Sequence, residues 1–295
     1  MYLIFDTETT GLPKNFKAPI SDTDNWPRCI QLAWQLHDDL GQLVEAKNYL
    51  IRPDGFDIPY DSERIHGIST RLAQEIGHDL KAVSEEFNTA LQKAKFVVGQ
   101  NIDFDLNIMG CEFHRLGMET PLNQLPSLDT CTEKTAQMCQ ISGGIGGKFK
   151  LPTLSELHQH LFGEAFSEAH NASADVEATT RCFLELIRLD HFSLEELKTD
   201  AESLARFKIA NPAPFPLVGL KHLNLKAESK KLADAAPKAE EVSKSDKQQN
   251  LARLKDVPFV HLHNHTRFSV LQSTIDIEAL IKKAAKLKMP AVALT

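Results

Sequence analysis

At 295 residues the chain has room for about two domains, and its 42% apolar and 25% charged content exclude a fibrous or wholly disordered protein. No run approaches the roughly 18 apolar residues that cross a bilayer, acidic residues from Asp6 onward leave no space for a cleaved leader, and five cysteines without a Cys-x-x-Cys pair read as reduced thiols of a cytoplasmic protein. The net charge of −7 hides 16 Lys+Arg against 28 Asp+Glu in residues 1–190 and 17 against 12 in residues 191–295, so the acidic first part cannot hold a polyanion without divalent cations or a tether.

The first 190 residues read as one α/β domain. Tyr2-Leu3-Ile4-Phe5 is too short for a helix and predicts a buried strand. Ile30, Leu32, Trp34 and Leu36 alternate with Gln31, Ala33, Gln35 and His37, which predicts a half-buried strand. A turn at Asp38–Gly41 returns the chain as a third strand over 43–51, giving an antiparallel meander. Leu80, Val83, Phe87, Leu91 and Ala94 carry helical spacing, and Phe96–Gly99 predicts a second short buried strand. Residues 104–117 predict a helix capped by Gly117, Ser127–Asp129 a last strand, and 153–162 and 174–189 two closing helices. Beyond 190 the pattern weakens. Residues 191–256 read as a partly helical linker: the proline-rich NPAPFPLVGL of 211–220 reads as an extended segment, with docking onto a neighbour as the alternative, and 226–256 as a charged stretch that is flexible or partly helical. Order returns over 257–295, with a strand at 259–265, an amphipathic helix at 275–287 and a strand begun at 291, so the chain reads as a piece of something longer.

Three segments carry chemistry. Asp6 and Glu8 are two apart on an extended backbone and therefore point the same way. Two neighbouring carboxylates partly out of water repel each other unless protons or hard cations intervene, although Asp-x-Glu alone equally describes a solvated strand end. Asn101-Ile102-Asp103-Phe104-Asp105 follows the second buried strand and opens a helix, where Asn and Asp also serve as caps. His170 and Asp175 flank the start of the last long helix, where a surface histidine and a capping acid are the simpler roles.

Taken together, in this order, FDTETTGL, Asn-x-x-Phe-Asp and His-x-Ala-x-x-Asp resemble the DEDDh 3′–5′ exonucleases, whose fold is RNase H-like. Ile65-His66-Gly67-Ile68, Leu128-Asp129-Thr130 and LPTLSEL at 151–157 extend the likeness over residues 1–190. The resemblance implies an α/β fold with a mixed five-stranded sheet flanked by helices. It implies that Asp6, Glu8, Asp105 and Asp175 hold two divalent cations, Mg or Mn, and that His170 accepts the proton of the attacking water. Thr7, Thr9, Ile65, His66, Asn101 and Phe104 match positions that grip the terminal nucleotide; each fits a core or turn role as well. Two segments depart from the family pattern: a long loop at 13–28 and a glycine-rich insertion at 142–150, which lacks the Ser/Thr and spacing of a phosphate-binding loop and reads as a mobile loop beside the site.

With three histidines at alternate positions in 259–266, followed by Arg267-Phe268-Ser269-Val270-Leu271 and by AAKLKMPAVALT at 284–295, residues 258–295 resemble the opening of the PHP (polymerase and histidinol phosphatase) domain of bacterial DNA polymerase III alpha subunits. His263 and His265 match that family's His-x-His metal ligands, with zinc a candidate in the complete domain; His261 matches a less regular position. The combined resemblance implies a proofreading exonuclease joined to a replicative polymerase. Its substrate would be a single-stranded or frayed DNA 3′ end, its partners the polymerase module and, as a candidate, a sliding clamp, with no membrane involved. A free-standing RNA or oligoribonucleotide exonuclease and a nuclease-inactive docking module are the alternatives. No convincing clamp-binding peptide is present; the nearest, Gln159–Phe162, reads as core.

Overall fold

The computed structural model describes residues 1–164, 171–235 and 277–289. Residues 1–235 form one compact unit and 236–295 a second. The first is built on a five-stranded sheet of order β3-β2-β1-β4-β5: β1 (Tyr2–Thr9), β2 (Cys29–His37), β3 (Leu43–Leu50), β4 (Phe96–Gly99) and β5 (Ser127–Asp129). β1, β2 and β3 are antiparallel neighbours, as the short turn at Asp38–Gly41 requires, whereas β4 and β5 join β1 in parallel through helical crossovers. The expected mixed five-stranded sheet is therefore present.

The helices are α1 (Tyr60–His66), α2 (Thr70–Ile76), α3 (Leu80–Leu91), α4 (Asp103–Leu116), α5 (Glu133–Cys139), α6 (Leu154–Phe162), α7 (Ala172–Arg188), α8 (Ala201–Ala210) and α9 (Leu225–Ala235). One face of the sheet buries Leu3, Phe5, Leu32, Trp34 and Leu36 against Val83, Phe87 and Leu91 of α3 and Ile108, Met109 and Phe113 of α4. The other buries Tyr2, Ile4, Ala33, Phe96 and Val98 under Val176, Phe183, Leu186 and Ile187 of α7. Leu161 and Phe162 are partly buried against this second core, whereas Gln159 and His160 are exposed.

β2 differs from its predicted half-buried state: every residue of it is buried. Its polar side chains lie beneath α7 and pair there rather than meeting water, so the alternation marks an aliphatic face and a hydrogen-bonded face.

The compact unit also continues past residue 190, where the pattern had placed a linker. Phe192, Leu197, Phe207 and Phe215 are buried in the α7 core, and Leu225 joins Ile30, Ile58 and Ile68 in a third cluster. At the β2–β3 turn Gly41 has φ +80°, and a Cβ there would meet Phe207 at 3.1 Å and Phe215 at 3.3 Å; the turn is shaped to receive those two rings. The segment 211–220 is extended, but it is docked. The loop over 13–28 is packed too: Trp26 is buried, and fully buried Glu112 accepts from Arg28 Nε at 3.0 Å and from the Cys29 amide at 2.9 Å.

In the second unit the described residues contain α10 (Ile277–Lys286), within the expected helix. The expected strands at 259–265 and 291–295, with His261, His263 and His265, lie outside the described residues. Among the described residues no helix is long and apolar enough to cross a membrane, and the five cysteines are free thiols.

Candidate active site

β1 pairs with β4 only as far as Ile4, opposite Val98. Beyond that point the last residues of β1 stay paired with β2 while their other edge is open. Asp6 and Glu8 share the α7 face of the strand with Tyr2 and Ile4, as the period of two requires. Thr7 faces the other way, toward α4.

α7 brings in Asp175. Its first turn is fixed by Asn171, whose side-chain oxygen accepts from the Ser173 amide at 3.3 Å and whose carbonyl accepts from the Asp175 amide at 2.9 Å. The cap is tied to the sheet by Gln31: its Nε2 donates to Asn171 Oδ1 at 3.0 Å, and its Oε1 accepts from the Ala172 amide at 3.2 Å. Gln31 is also the register partner of Glu8. One residue thus sets the helix start against the strand that carries the acids. Carboxylate oxygens of Asp6, Glu8 and Asp175 lie within 4.8 Å of one another.

Asp105 approaches from the opposite face. It lies in the first turn of α4, is buried, and its Oδ1 accepts from both the amide and the hydroxyl of Thr7, at 2.9 and 2.6 Å. The Thr7 amide is available because the ladder to β4 has ended. Asp105 is outside the close group of three, but its charge reaches Asp6 and Glu8. Asp103, two residues earlier, is exposed.

The electrostatics follow from that crowding. The Asp6 carboxyl is held well above the usual carboxylate range, first by loss of hydration and then by the charges of Asp105, Asp175 and Glu8. Glu8 is pushed up to about 8 by burial, then by Asp175 and Asp105. Burial lifts Asp105 to about 7, although its bonds from Thr7 pull the other way. Among the described residues, every neighbouring charge that moves Asp6 or Glu8 is negative. An all-oxygen donor set of this kind fits a hard divalent cation, whose charge would replace the missing positive partner.

The α4 start is held by Asp129 at the end of β5. Its carboxylate accepts from the amides of Asn101 at 2.8 Å, Ile102 at 3.2 Å and Cys131 at 2.7 Å. Asn101 itself has φ 60°, the left-handed conformation that the tight exit from β4 demands. Phe104 is half-buried against the α3–α4 core, Thr9 donates its hydroxyl to the Gly11 carbonyl at 2.7 Å, Ile65 is half-exposed at the end of α1, and buried His66 accepts from the Ile68 amide at 3.0 Å. His170 lies outside the described residues and directly precedes the Asn171 cap. Sequence reasoning missed Gln31 and Asn171, whose amide chemistry leaves no motif.

A family model described as Exonuclease (RNase_T) matches residues 3–183. The chain belongs to this exonuclease family. A second model, the PHP domain, matches residues 261–295, so the two parts expected from the motifs are both matched. Among curated relatives, the 3′-5′ exonuclease DinG of Bacillus subtilis is 29% identical over 202 residues, 67% of this chain and 19% of that protein. A DNA polymerase III PolC-type of Pediococcus pentosaceus is 27% identical over 233 residues, 76% of this chain and 14% of that protein. The chain therefore spans a fifth or less of the length of these exonuclease-family relatives. Among solved structures, E. coli Exonuclease I in complex with a dT13 oligonucleotide shares the fold, with a TM-score of 0.51 at 20% identity over 67% of this chain and 45% of that one.

Proposed function

We propose that the chain is a metal-dependent 3′–5′ exodeoxyribonuclease that removes nucleotides from single-stranded or frayed DNA ends as the proofreading part of a DNA polymerase III assembly. The observation that carries this reading is the convergence of Asp6, Glu8 and Asp175 oxygens within 4.8 Å, where the charges that move Asp6 and Glu8 are, among the described residues, all negative. In this reading the three carboxylates and Asp105 hold two divalent cations, Mg or Mn. When bound, the cations supply the positive charge that lets the acids ionise together and stabilises the attacking and leaving oxygens of the displacement.

The chain's own residues do the rest. Thr7 fixes Asp105 by two bonds, and Gln31 with Asn171 fixes Asp175, so the acids are placed before substrate arrives. His170, next to the Asn171 cap, takes the proton of the attacking water, a task for which an imidazole titrates in the useful range. Thr9, Ile65, His66, Asn101 and Phe104 are the proposed contacts to the terminal nucleotide. The names of the relatives support the DNA and polymerase setting: one is a 3′-5′ exonuclease and another a DNA polymerase III PolC-type. The PHP match over residues 261–295 supports this setting, with His263 and His265 as the proposed ligands of that segment.

The test is release of mononucleotides from a 5′-labelled single-stranded oligonucleotide with Mg²⁺ or Mn²⁺. Asp6→Asn and Asp175→Asn are each expected to lower the rate by about a hundred- to a thousandfold, in line with the loss of a group that stabilises transition-state charge. A variant pair that digests DNA at the native rate overturns the assignment, and faster digestion of a matched oligoribonucleotide by the native chain overturns the choice of substrate.

A further inference from the structure

The exonuclease family match ends at residue 183, yet the chain beyond it returns to the helix that carries Asp175. Ser173, Glu177, Arg181 and Glu185 are spaced four apart and form a single ridge along α7. Every one of them is bonded to the strap of residues 215–222. Glu185 Oε2 accepts from the Phe215 amide at 3.2 Å, and Arg181 Nε donates to the Phe215 carbonyl at 2.6 Å. Glu177 Oε1 accepts from the amides of Gly219 and Leu220. His222 closes the row, with Nε2 at 2.7 Å from Glu177 Oε2 and Nδ1 at 2.9 Å from Ser173 Oγ. Pro212, Pro214 and Pro216 keep this strap extended and carry no N–H of their own, leaving Phe215 between two of them to supply both a donor and an acceptor.

The upper end of the ridge is the active-site end. The Ser173 hydroxyl also donates to Asn171 Oδ1 at 2.9 Å, and Asn171 Nδ2 donates to the Leu223 carbonyl at 3.1 Å. Ser173 and Glu177 each lie two residues from Asp175. The first turn of α7 is therefore gripped from both sides, by Gln31 from the sheet and by His222 from the strap.

We propose that His222 is a positioning residue for the carboxylate cluster: by bridging Ser173 and Glu177 it locks the first turn of α7, and with it Asp175, at the spacing from Asp6 and Glu8 at which a divalent cation binds. The strap is then part of the nuclease site although it lies outside the family-matched segment. The proposal rests on the cation-binding reading of Asp6, Glu8 and Asp175 given above.

The test uses the full chain and four variants: His222→Ala, Ser173→Ala, the double variant, and Lys221→Ala as a strap control with no bond in this network. Direct Mn²⁺ titration is expected to show about tenfold weaker binding for His222→Ala, the loss usual when a group supporting a metal ligand is removed. The DNA hydrolysis rate should fall at low Mn²⁺ and recover at saturating Mn²⁺, with KM for DNA unchanged. Ser173→Ala should weaken binding from the helix side as well, and the double variant should fall short of the sum of the two single effects, because both lose the His222–Ser173 bond. Should His222→Ala not fold, Ser173→Ala alone decides the matter. Amide exchange at residues 172–176, read without metal, should quicken in His222→Ala and Ser173→Ala but not in Lys221→Ala. Native Mn²⁺ affinity in both single variants overturns the proposal, even if their melting temperatures fall. Unchanged exchange at 172–176 overturns it too. If the native chain binds no Mn²⁺, the cation-site reading fails instead, while the exchange result still tells whether His222 holds the turn.

Discussion

Asp6, Glu8 and Asp105 store like charge in one place, and the consequence can be read as stability against pH. Glu8 near 8 and Asp105 near 7 both lie above the roughly 4 of a carboxyl in an unfolded chain. Without cations the folded state then holds more protons than the unfolded state across that interval. Stability is fully present below about pH 4 for these groups and is lost as pH rises through 7 and 8. In EDTA the urea midpoint should therefore fall between about pH 5.5 and 8, with a slope of at most about 1.4 kcal/mol per pH unit for each group. Adding Mn²⁺ should remove the decline, since cations replace protons as the neutralising charge. Asp6→Asn should lessen it without metal by the share of Asp6 itself and leave that of Glu8 and Asp105. A midpoint that stays level or rises in EDTA would mean the acids ionise independently. At this scale the motifs made the acids legible and left their supports hidden. Asp6, Glu8, Asp105 and Asp175 have fixed spacings along the chain, whereas Gln31 matters only because β2 places it opposite Glu8 and under Asn171.

Between elements, the joint of β4, α4 and β5 decides where Asp105 stands. Asp129 satisfies two of the amides at the α4 entrance and one after β5, a role that helix ends require of some partner. Asp129→Ala leaves the three amides without an acceptor and frees Asn101 from its left-handed turn. The expected cost is about 3 kcal/mol in urea unfolding, from lost charge-assisted bonds and orphaned donors. Asp129→Asn keeps one acceptor oxygen, which serves Asn101 and Cys131, and should cost about half as much. Equal stability of Asp129→Ala and the native chain would show that water replaces the carboxylate. Of the strands of this joint, Phe96–Gly99 was readable as a short apolar run bounded by turn residues, whereas Ser127–Asp129 has a single apolar residue, Leu128, between two polar ones. α1, α2 and α5 went unread: each has seven residues, two turns at most, too few for a helical period to emerge. β2 was read as a strand but as half-buried, because polar side chains that pair with a covering helix look the same in sequence as side chains that meet water.

Across the whole unit, residues 191–235 are the part that composition misrepresented. Prolines, charge and scattered apolar residues look like a linker when the partner surface is unknown. The surface is the ridge of α7 and the open end of the second core, and most of the strap's hydrogen bonds to that ridge are made by backbone groups that no side-chain pattern reports. Phe192, Leu197, Phe207 and Phe215 each give up water on docking. At about 1.5–3 kcal/mol for each fully buried side chain, the four contribute an amount comparable to the 5–15 kcal/mol that holds a typical domain together. A chain cut after residue 190 would also expose Glu177 and Glu185, whose strap partners would be gone. Residues 1–190 are therefore expected to unfold without a cooperative transition or at a much lower urea midpoint, and residues 1–235 to unfold as the full chain does. Phe215→Ala in the full chain should cost about 3–5 kcal/mol, as truncation of a buried aromatic ring does. Matching midpoints for the 190- and 235-residue chains would reduce the strap to a passenger, and the acidic domain would then have to hold α7 in place through Gln31 and the sheet alone.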